Sequence, residues 1–512
     1  MTSPIDNDAL HTTIAALRER LLAARNPQGF WEGHLSSSAL STATAVFALA
    51  TADSEKHRSL IERGLHWLCN HQNADGGWGD TVQSPSNLST TLLCYSALAV
   101  DCGPRTSAGG SVKAEGLGDG SATFVGSHRQ ASLDAATPRN PKLVPATHKA
   151  ESWLRGKAGT LEPQALAKAV EQQYGKDRTF SVPILTMAAL SGRLGAGSNA
   201  WRLVRPLPFE LAVLPHRLYK WLRLPVVSYA LPALIAIGQA RYEHLKPGNP
   251  LTRLVRGLSR EKSLRVLTML QPENGGFLEA APLTSFVVMS LAASGRGDHE
   301  VTRKGVEFLT ASIREDGSWP IDTNLATWVT TLAVNAAFEC GMRKAECGVE
   351  ASGSIRSLLT DWLLSCQYKT VHPYTHAAPG GWAWSNLPGA VPDGDDTAGA
   401  LMALHTLSSG VSESAFRIPH SAIVSGVDWL LGLQNSDGGI PTFCRGWTKL
   451  PFDKSSPDIT AHAIGATSAW LPTLAEPLRG HTEEAVQKAL RYMQDAQRPD
   501  GSWVPLWFGN QS

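Results

Sequence analysis

Apolar residues in this chain recur mostly at helical spacing. Ahead of Gln434, the residues Ile423, Val424, Val427, Leu430 and Leu431 fall at i, i+1, i+4, i+7 and i+8, the stripe of one helical face. A second kind of segment is apolar all round and rich in Ser, Thr and Ala: SNLSTTLLCYSALAV from Ser86, APLTSFVVMSLAAS from Ala281 and LATWVTTLAVNAAF from Leu325. Small residues there let helices approach closely, and strand-like alternation is scarce. Between the two kinds lies a turn of the form Gln-x-x-Asp-Gly-x-Trp. It is intact at 72–78 (QNADGGW) and 497–503 (QRPDGSW). It is relaxed at 271–277 (QPENGGF), 313–319 (IREDGSW), 376–382 (HAAPGGW) and 434–440 (QNSDGGI), and RNPQGFW at 25–31 is a worn first copy. The later copies start at 313, 376, 434 and 497, a period of 63, 58 and 63 residues. The Gly permits a left-handed turn and the Asp can cap the next segment. One repeat is therefore a helix pair, and an array of such pairs closes into an α/α toroid or stacks as a solenoid.

Three stretches depart from this order. Residues 103–149 are rich in Gly, Ser, Thr and Ala with few apolar anchors, and are expected to form a mobile, mostly disordered insertion. Residues 201–237, rich in Pro and aromatics, fit no repeat copy. Within and just beyond them, 224–240 (LPVVSYALPALIAIGQA) is apolar, but its 17 residues are too few to span a bilayer and are broken by Pro225 and Pro232. With Arg217, Lys220 and Arg223 ahead of it, this segment reads either as a membrane-interface element or as a buried core helix.

Composition narrows the function classes. The 512 residues carry 46 Lys+Arg against 45 Asp+Glu, a net charge of +1, which argues against a nucleic-acid backbone as the main partner. The seven cysteines (Cys69, Cys94, Cys102, Cys340, Cys347, Cys366 and Cys444) are scattered without a Cys-x-x-Cys pair, as expected of reduced thiols in a cytosolic chain. The opening MTSPIDNDAL has neither the basic residues nor the apolar run of a secretory signal. Trp is the outlier, with 16 against 13 Phe and 8 Tyr.

The most chemical stretch is PGGWAWSNLPGAVPDGDDTAGAL, which places Asp393, Asp395 and Asp396 within four residues among apolar neighbours. Three carboxyls so close in a low-dielectric setting cannot all ionise cheaply, so at least one is expected to keep its proton at neutral pH. Acid catalysis, capping of the helix that begins TAGALMAL, and metal binding all remain open on the residues alone.

Residues 393–397 (DGDDT) resemble the Asp-x-Asp-Asp-Thr motif of the squalene-hopene cyclase type of class II triterpene cyclases, and the repeats resemble that family's QW motifs. The resemblance implies an all-α protein of two α/α-barrel domains, one inserted into the other, with an apolar cavity between them. Residues 1–12 and 300–512 would form the catalytic domain, and 13–299 the inserted one. It implies proton-initiated cyclisation of squalene to a hopene-like polycyclic triterpene, an isomerase chemistry with no metal or organic cofactor. It further implies a monotopic protein on the cytoplasmic face of a bacterial-type membrane, with a homodimer as a possible assembly. By the same resemblance Asp395 is the proton donor, flanked by Asp393 and Asp396. The stretch DITAH at 458–462 is similar to the family's Asp-Val-Thr-x-His, which sets His462 against Asp395 and brings Asp458 into the site. A cationic imidazolium there stabilises the carboxylate left by proton transfer. Trp384, Phe443, Trp221 and Trp507 match cavity aromatics, whose faces attract a carbocation. Trp31, Trp78, Trp319, Trp382 and Trp503, in or near repeat turns, are expected to be structural.

The departures from the family pattern matter too. The sequence ends at Ser512, short of the family's further repeats, so the second barrel is expected to be incomplete. The helix HLSSSALSTATAVFAL lacks the family's acids, PLTSF from Pro282 replaces an aromatic-rich stretch, and Ile321 stands where a Trp is expected before Asp322. Two other functions stay in view: a class II diterpene cyclase acting on geranylgeranyl diphosphate, and an inactive lipid-binding pseudo-cyclase. A protein prenyltransferase subunit would need a zinc set, of which Cys444, Asp437 and His462 are only a faint echo.

Overall fold

The two kinds of segment become two kinds of helix. In the computed structural model, which describes residues 7–100, 141–175, 178–214, 231–339, 349–373, 375–409, 418–443 and 454–505, the segments that are apolar all round are inner helices. Helix Ala39–Asp53 is buried from Ala43 to Leu49 without a break, and Leu88–Ala97 from Ser89 to Ala97. Five such helices touch in sequence around a ring: Ala39–Asp53, Leu88–Ala97, Arg178–Leu190, Leu231–His244 and Ala281–Ala293, the last returning to the first. Outside them lie helices with one buried face. Arg58–Asn70 buries Ile61, Gly64, Leu65, Trp67 and Leu68, and Glu300–Ala311 buries Val301, Thr302, Gly305, Phe308 and Leu309. This double layer is an α/α barrel. A two-residue antiparallel ladder, Ser37–Ser38 with Trp319–Pro320, ties its two ends together.

A second double layer follows. Its inner helices Ala326–Glu339, Gly394–Ser408 and Pro457–Trp470 touch in that order, with Val349–Cys366, His420–Leu433 and Leu478–Ala496 outside. The two layers have separate cores. One gathers residues between Ala39 and Leu309 together with Trp319; the other gathers residues from Ala333 to Leu474 together with Trp31, Leu21 and Leu22.

The repeat turns work as staples, and each part of the sequence pattern has a bond to make. The Gln amide spans its own turn and reaches the following outer helix: Gln72 donates to Gly76 O (2.8 Å) and Ala146 O (2.9 Å), and Gln434 to Gly438 O (2.9 Å) and Ala485 O (2.8 Å). The indole N–H ties the turn back to the preceding helix, as Trp78 to Leu68 O (2.9 Å), Trp319 to Leu309 O (2.7 Å) and Trp382 to Leu363 O (2.7 Å). The Gly is left-handed in every copy, and in all but the last, at Gly501, a side chain would meet a neighbour. At Gly380 (φ +120°) a Cβ would lie 2.4 Å from Ser425 O. In the 313–319 copy, which has Ile in place of the Gln, the Arg63 guanidinium takes over, donating to Arg314 O (2.8 Å) and Glu315 O (2.9 Å) and closing the ring.

The structure corrects two expectations and divides a third. The Gln of the 376–382 copy is Gln367, nine residues ahead of His376; it donates to Gly380 O (2.8 Å) and Ala422 O (2.9 Å) across a longer loop. Residues 144–149 are not disordered but open the helix Val144–Ala158, which buries Ala146, Thr147, Ala150 and Leu154; of the rest of the expected insertion, 141–143 form a turn and 103–140 lie outside the described residues. In the apolar 224–240 segment, residues 231–240 belong to the core, where Ile235, Ala236 and Ile237 are fully buried, and 224–230 lie outside the described residues. Among the described residues no helix is long and apolar enough to cross a membrane.

The staple predicts a contrast between two glycines. Gly380→Ala is expected to cost about 1–3 kcal/mol of stability, since it forces a Cβ into a left-handed, closed site. Gly156→Ala, in an exposed helical position with nothing within 4 Å of a Cβ, is expected to add roughly 0.5–1 kcal/mol. Chemical denaturation followed by circular dichroism measures both.

Candidate active site

The middle inner helix of the second layer, Gly394–Ser408, starts at the acidic turn. Asp393 is its N-cap, extended at φ −139° and ψ 169°, and its Oδ1 accepts the N–H groups of Asp395 and Asp396, both at 2.9 Å. The capping role is thus filled by one of the three carboxyls, which leaves the other two for something else. Thr397 Oγ1 accepts the Trp382 N–H at 2.9 Å and so locks the turn onto the preceding staple. The Gly394 N–H donates to Thr442 O at 2.7 Å, and a Cβ there would lie 2.9 Å from Pro441 O. Only Gly lets the 440–443 segment, with Phe443 at its end, come this close.

Asp395 and Asp396 leave the turn in different directions. Asp395 Oδ1 lies 2.7 Å from His462 Nδ1, on the neighbouring inner helix Pro457–Trp470. One turn further along, Gly399 lets the flanking helices close in: a Cβ would meet Thr331 Oγ1 at 3.0 Å and His462 Cε1 at 3.4 Å. The Asp395 side chain keeps 40% of its surface open and that of His462 24%. Asp396 is buried.

Burial pushes the carboxyl of Asp396 far up, and the nearby Asp393, Asp395 and Asp322 carboxylates add to the shift. Burial also raises Asp393, against the pull of the hydrogen bonds it accepts. Asp393 Oδ2 and Asp396 Oδ1 receive no donor from the rest of the protein, and the two carboxyls face each other. One shared proton satisfies both, and it resides on Asp396 because Asp393 already holds two amide N–H groups. The proton-keeping carboxyl expected from the sequence is therefore Asp396, while Asp395 is the accessible one.

Two more acids stand behind this pair, one half-buried and one fully buried. Asp322 is pushed well above the usual carboxylate range by burial and by the charge of Glu279. Glu279 is fully buried, and burial raises it against three donors: Asn274 Nδ2 at 2.7 Å, Gly389 N at 2.6 Å and Thr323 Oγ1 at 3.0 Å. Tyr368, whose hydroxyl donates to Ala390 O at 2.8 Å, is pushed up to about 12 by burial and by Cys366, Glu279 and Asp393 nearby. Glu279 and Tyr368 were not visible as site residues in the sequence; the one signal for Glu279 was an acid set inside the apolar run FLEAAPL.

Trp384 and Phe443 come together with ring centroids 6.1 Å apart and a tilt of 59°. They join an apolar wall with Leu270 and Val391 at its centre and Leu231, Val266 and Leu278 around it, drawn from both barrel layers. The Trp384 indole N–H approaches the Asp322 carboxyl without completing an ordinary hydrogen bond. Asp458 sits exposed in the first turn of its helix, hydrogen-bonded by the Ser456 hydroxyl, and its charge acts on the Tyr492 phenol. Trp221, Trp507 and Cys444 lie outside the described residues.

With this geometry in place, comparison with known proteins is decisive at the level of family. Residues 14–105 match the squalene-hopene cyclase N-terminal domain and residues 325–511 the squalene-hopene cyclase C-terminal domain. The chain belongs to the squalene-hopene cyclase family. It is 26% identical to enfumafungin synthase of Hormonema carpetanum over 96% of this chain, although it spans only 38% of that relative's length. It is 24% identical to the squalene–hopene cyclase of Bradyrhizobium diazoefficiens over 98% of this chain and 74% of the relative. The fold is shared with the ent-copalyl diphosphate synthase of Streptomyces platensis (TM-score 0.50, 18% identity, 97% of this chain and 76% of that one). As a member of this family of terpene cyclases, the chain has the α/α-barrel architecture expected from its repeats.

The raised Asp396 gives a pH dependence with a definite sign. Its folded form binds a proton that the unfolded chain releases near the ordinary carboxylate range, so the stability it contributes is present at acid pH and is lost as pH rises toward its folded value. Asp396→Asn keeps a neutral group facing Asp393. It is expected to shrink the drop in thermal midpoint between about pH 5 and pH 8, by the equivalent of ~1–2 kcal/mol. Parallel slopes in variant and wild type would contradict the assigned protonation.

Proposed function

We propose that this chain cyclises squalene to a polycyclic, hopene-like triterpene, with Asp395 as the Brønsted acid. The observation that carries the reading is the 2.7 Å contact between Asp395 Oδ1 and His462 Nδ1, at a helix N-terminus beside the apolar wall that joins the two barrels. In this reading His462 donates Nδ1–H to Oδ1, which leaves Oδ2 to deliver the proton. A terminal alkene takes that proton: a C–H bond forms at one alkene carbon, the O–H bond breaks, and a tertiary carbocation stands opposite the new carboxylate. The His462 hydrogen bond and the positive end of the helix stabilise that carboxylate, which strengthens the acid toward a very weak base. Ring closures follow as each further alkene attacks the cation, and loss of a proton or capture of water ends the cascade. The faces of Trp384 and Phe443 stabilise the passing positive charge by about 0.5–2 kcal/mol each. Asp396 and Asp393 share a proton and so add one negative charge beside Asp395 rather than two.

Substrate delivery belongs to the same reading. On helix Pro250–Leu270, Leu251, Leu254, Val255 and Leu258 are exposed at i, i+3, i+4 and i+7, with Leu251 and Leu258 67% and 68% open. Arg253, Lys262 and Arg265 are exposed along the same helix. An apolar stripe bordered by cations suits the headgroup layer of an anionic membrane, and we assign it as the face that meets lipid. The division into an inserted and a discontinuous catalytic domain is part of this proposal too. The two cores favour seams near residues 31–39 and 319–333.

Two experiments test these assignments. Asp395→Asn is expected to lose product by at least about 10³-fold with its circular dichroism unchanged, and His462→Ala to slow turnover by roughly tenfold or more. The assay is mass spectrometry of products from squalene and, in parallel, geranylgeranyl diphosphate. Turnover of the diphosphate alone would move the reading to a diterpene cyclase, and turnover of neither to a lipid-binding relative. Replacing Leu254 and Leu258 together by Asp is expected to abolish co-sedimentation with phosphatidylcholine–phosphatidylglycerol vesicles; full retention would remove the membrane role from this helix.

A further inference from the structure

Glu279 has no part in the proton transfer described above, yet its environment is unusual. It and Leu278 adopt left-handed backbone at φ +53° and +57°, a region that side-chain-bearing residues rarely occupy. Gly275, at φ +83°, already supplies the left-handed residue that the repeat turn needs. The extra pair therefore serves something other than the staple, and strain of this kind persists only where the surroundings hold it.

What holds it is a junction between the two barrel layers. Glu279 comes from the turn before the inner helix Ala281–Ala293, and its Oε1 accepts the backbone N–H of Gly389, in the segment leading to Asp393. Gly389 packs so tightly that a Cβ would lie 2.4 Å from Gly276 O and 2.5 Å from Glu279 Oε1. The second oxygen takes the Thr323 hydroxyl, beside Asp322, and Asn274 Nδ2 completes the set. The partners are two N–H donors and a hydroxyl able to donate, an arrangement built for a carboxylate.

We propose that Glu279 is a positioning residue of the acid site: its carboxylate fastens the segment that delivers the Asp393–Thr397 turn to the neighbouring barrel and presents a fixed negative charge to the Asp322 carboxyl. The titratable groups that sense it are Asp322, from the segment after Trp319–Pro320, and Tyr368, from the end of the outer layer. Burial and that charge push Asp322 well up, and Asp322 is in turn among the neighbouring charges that push Asp396 up. This inference rests on the cyclase reading for its meaning, but its test does not.

The test is a pH titration of the protonated-carboxyl band by difference infrared spectroscopy on the full chain, with Asp322→Asn identifying the Asp322 component. Glu279→Gln removes the charge and keeps the shape. The midpoint for Asp322 deprotonation is expected to fall by roughly one pH unit or more, a tenfold loss of proton affinity. Thr323→Val withdraws one donor from Glu279 and is expected to shift the midpoint the same way by less, which keeps the test decisive if the Gln variant does not fold. With squalene, Glu279→Gln is expected to lower kcat severalfold at unchanged KM. Superimposable titrations for wild type and the folded variants overturn the proposal, whatever happens to turnover. A wild type that turns over no substrate removes the cyclase reading and leaves the titration to decide this one.

Discussion

The organisation of this protein depends on one bond, repeated where six of the repeat turns meet their inner helices. A threonine in the first two turns of the helix points its hydroxyl to the backbone N–H of the turn's aromatic or apolar residue. Thr91 receives Trp78, Thr42 receives Trp319, Thr284 receives Phe277, Thr330 receives Trp31, Thr397 receives Trp382 and Thr460 receives Ile440, all at 2.9–3.1 Å. The inner helices have no polar face to leave in water, so their N-terminal turns must be satisfied from within the protein. The hydroxyl does this without adding charge to the barrel.

The acidic motif is one of these junctions. Asp393 stands where Asn87 or Ser38 stands in other copies, and Thr397 where Thr91 or Thr42 stands. The structural demands of the turn are met by Asp393 and Thr397, as they are by ordinary residues elsewhere. Asp395 and Asp396 are additional, and they divide by environment. The one that emerges toward His462 can reach a ligand, while the one that turns inward keeps a proton because the interior cannot support another anion. The site thus occupies positions that the repeat itself does not need.

Behind it, the same economy of charge extends across the seam between the layers. Glu279, Asp322, Asp396 and Asp393 form a buried acidic series in which hydrogen-bond donors are unequally shared. Glu279 accepts three donors and Asp393 two backbone amides, whereas Asp322 accepts one amide, from Thr323, and both Asp322 and Asp396 are pushed well up by burial. With anions at the two ends and acids between them, four carboxyls lie close without four charges. The apolar wall of Leu270, Val391, Trp384 and Phe443 lies along the same seam, so acid and hydrocarbon surface belong to one interface.

Periodicity alone announced the helix pairs, because a 3.6-residue stripe and an apolar-all-round segment have only one stable arrangement each, outer and inner. The acid turn was equally plain, since three carboxyls in four residues need no fold to be noticed. The pairing of Asp395 with His462, 67 residues apart, was legible only through the likeness of DGDDT and DITAH to a family, because contact across two inner helices leaves no mark in spacing. Tertiary structure decided the rest. It moved the Gln of one repeat to Gln367, since a longer loop can close the same staple. It assigned the retained proton to Asp396, since burial is a property of the packed protein. And it made Glu279 part of the site, since its partners Asn274, Thr323 and Gly389 meet only where the two layers join.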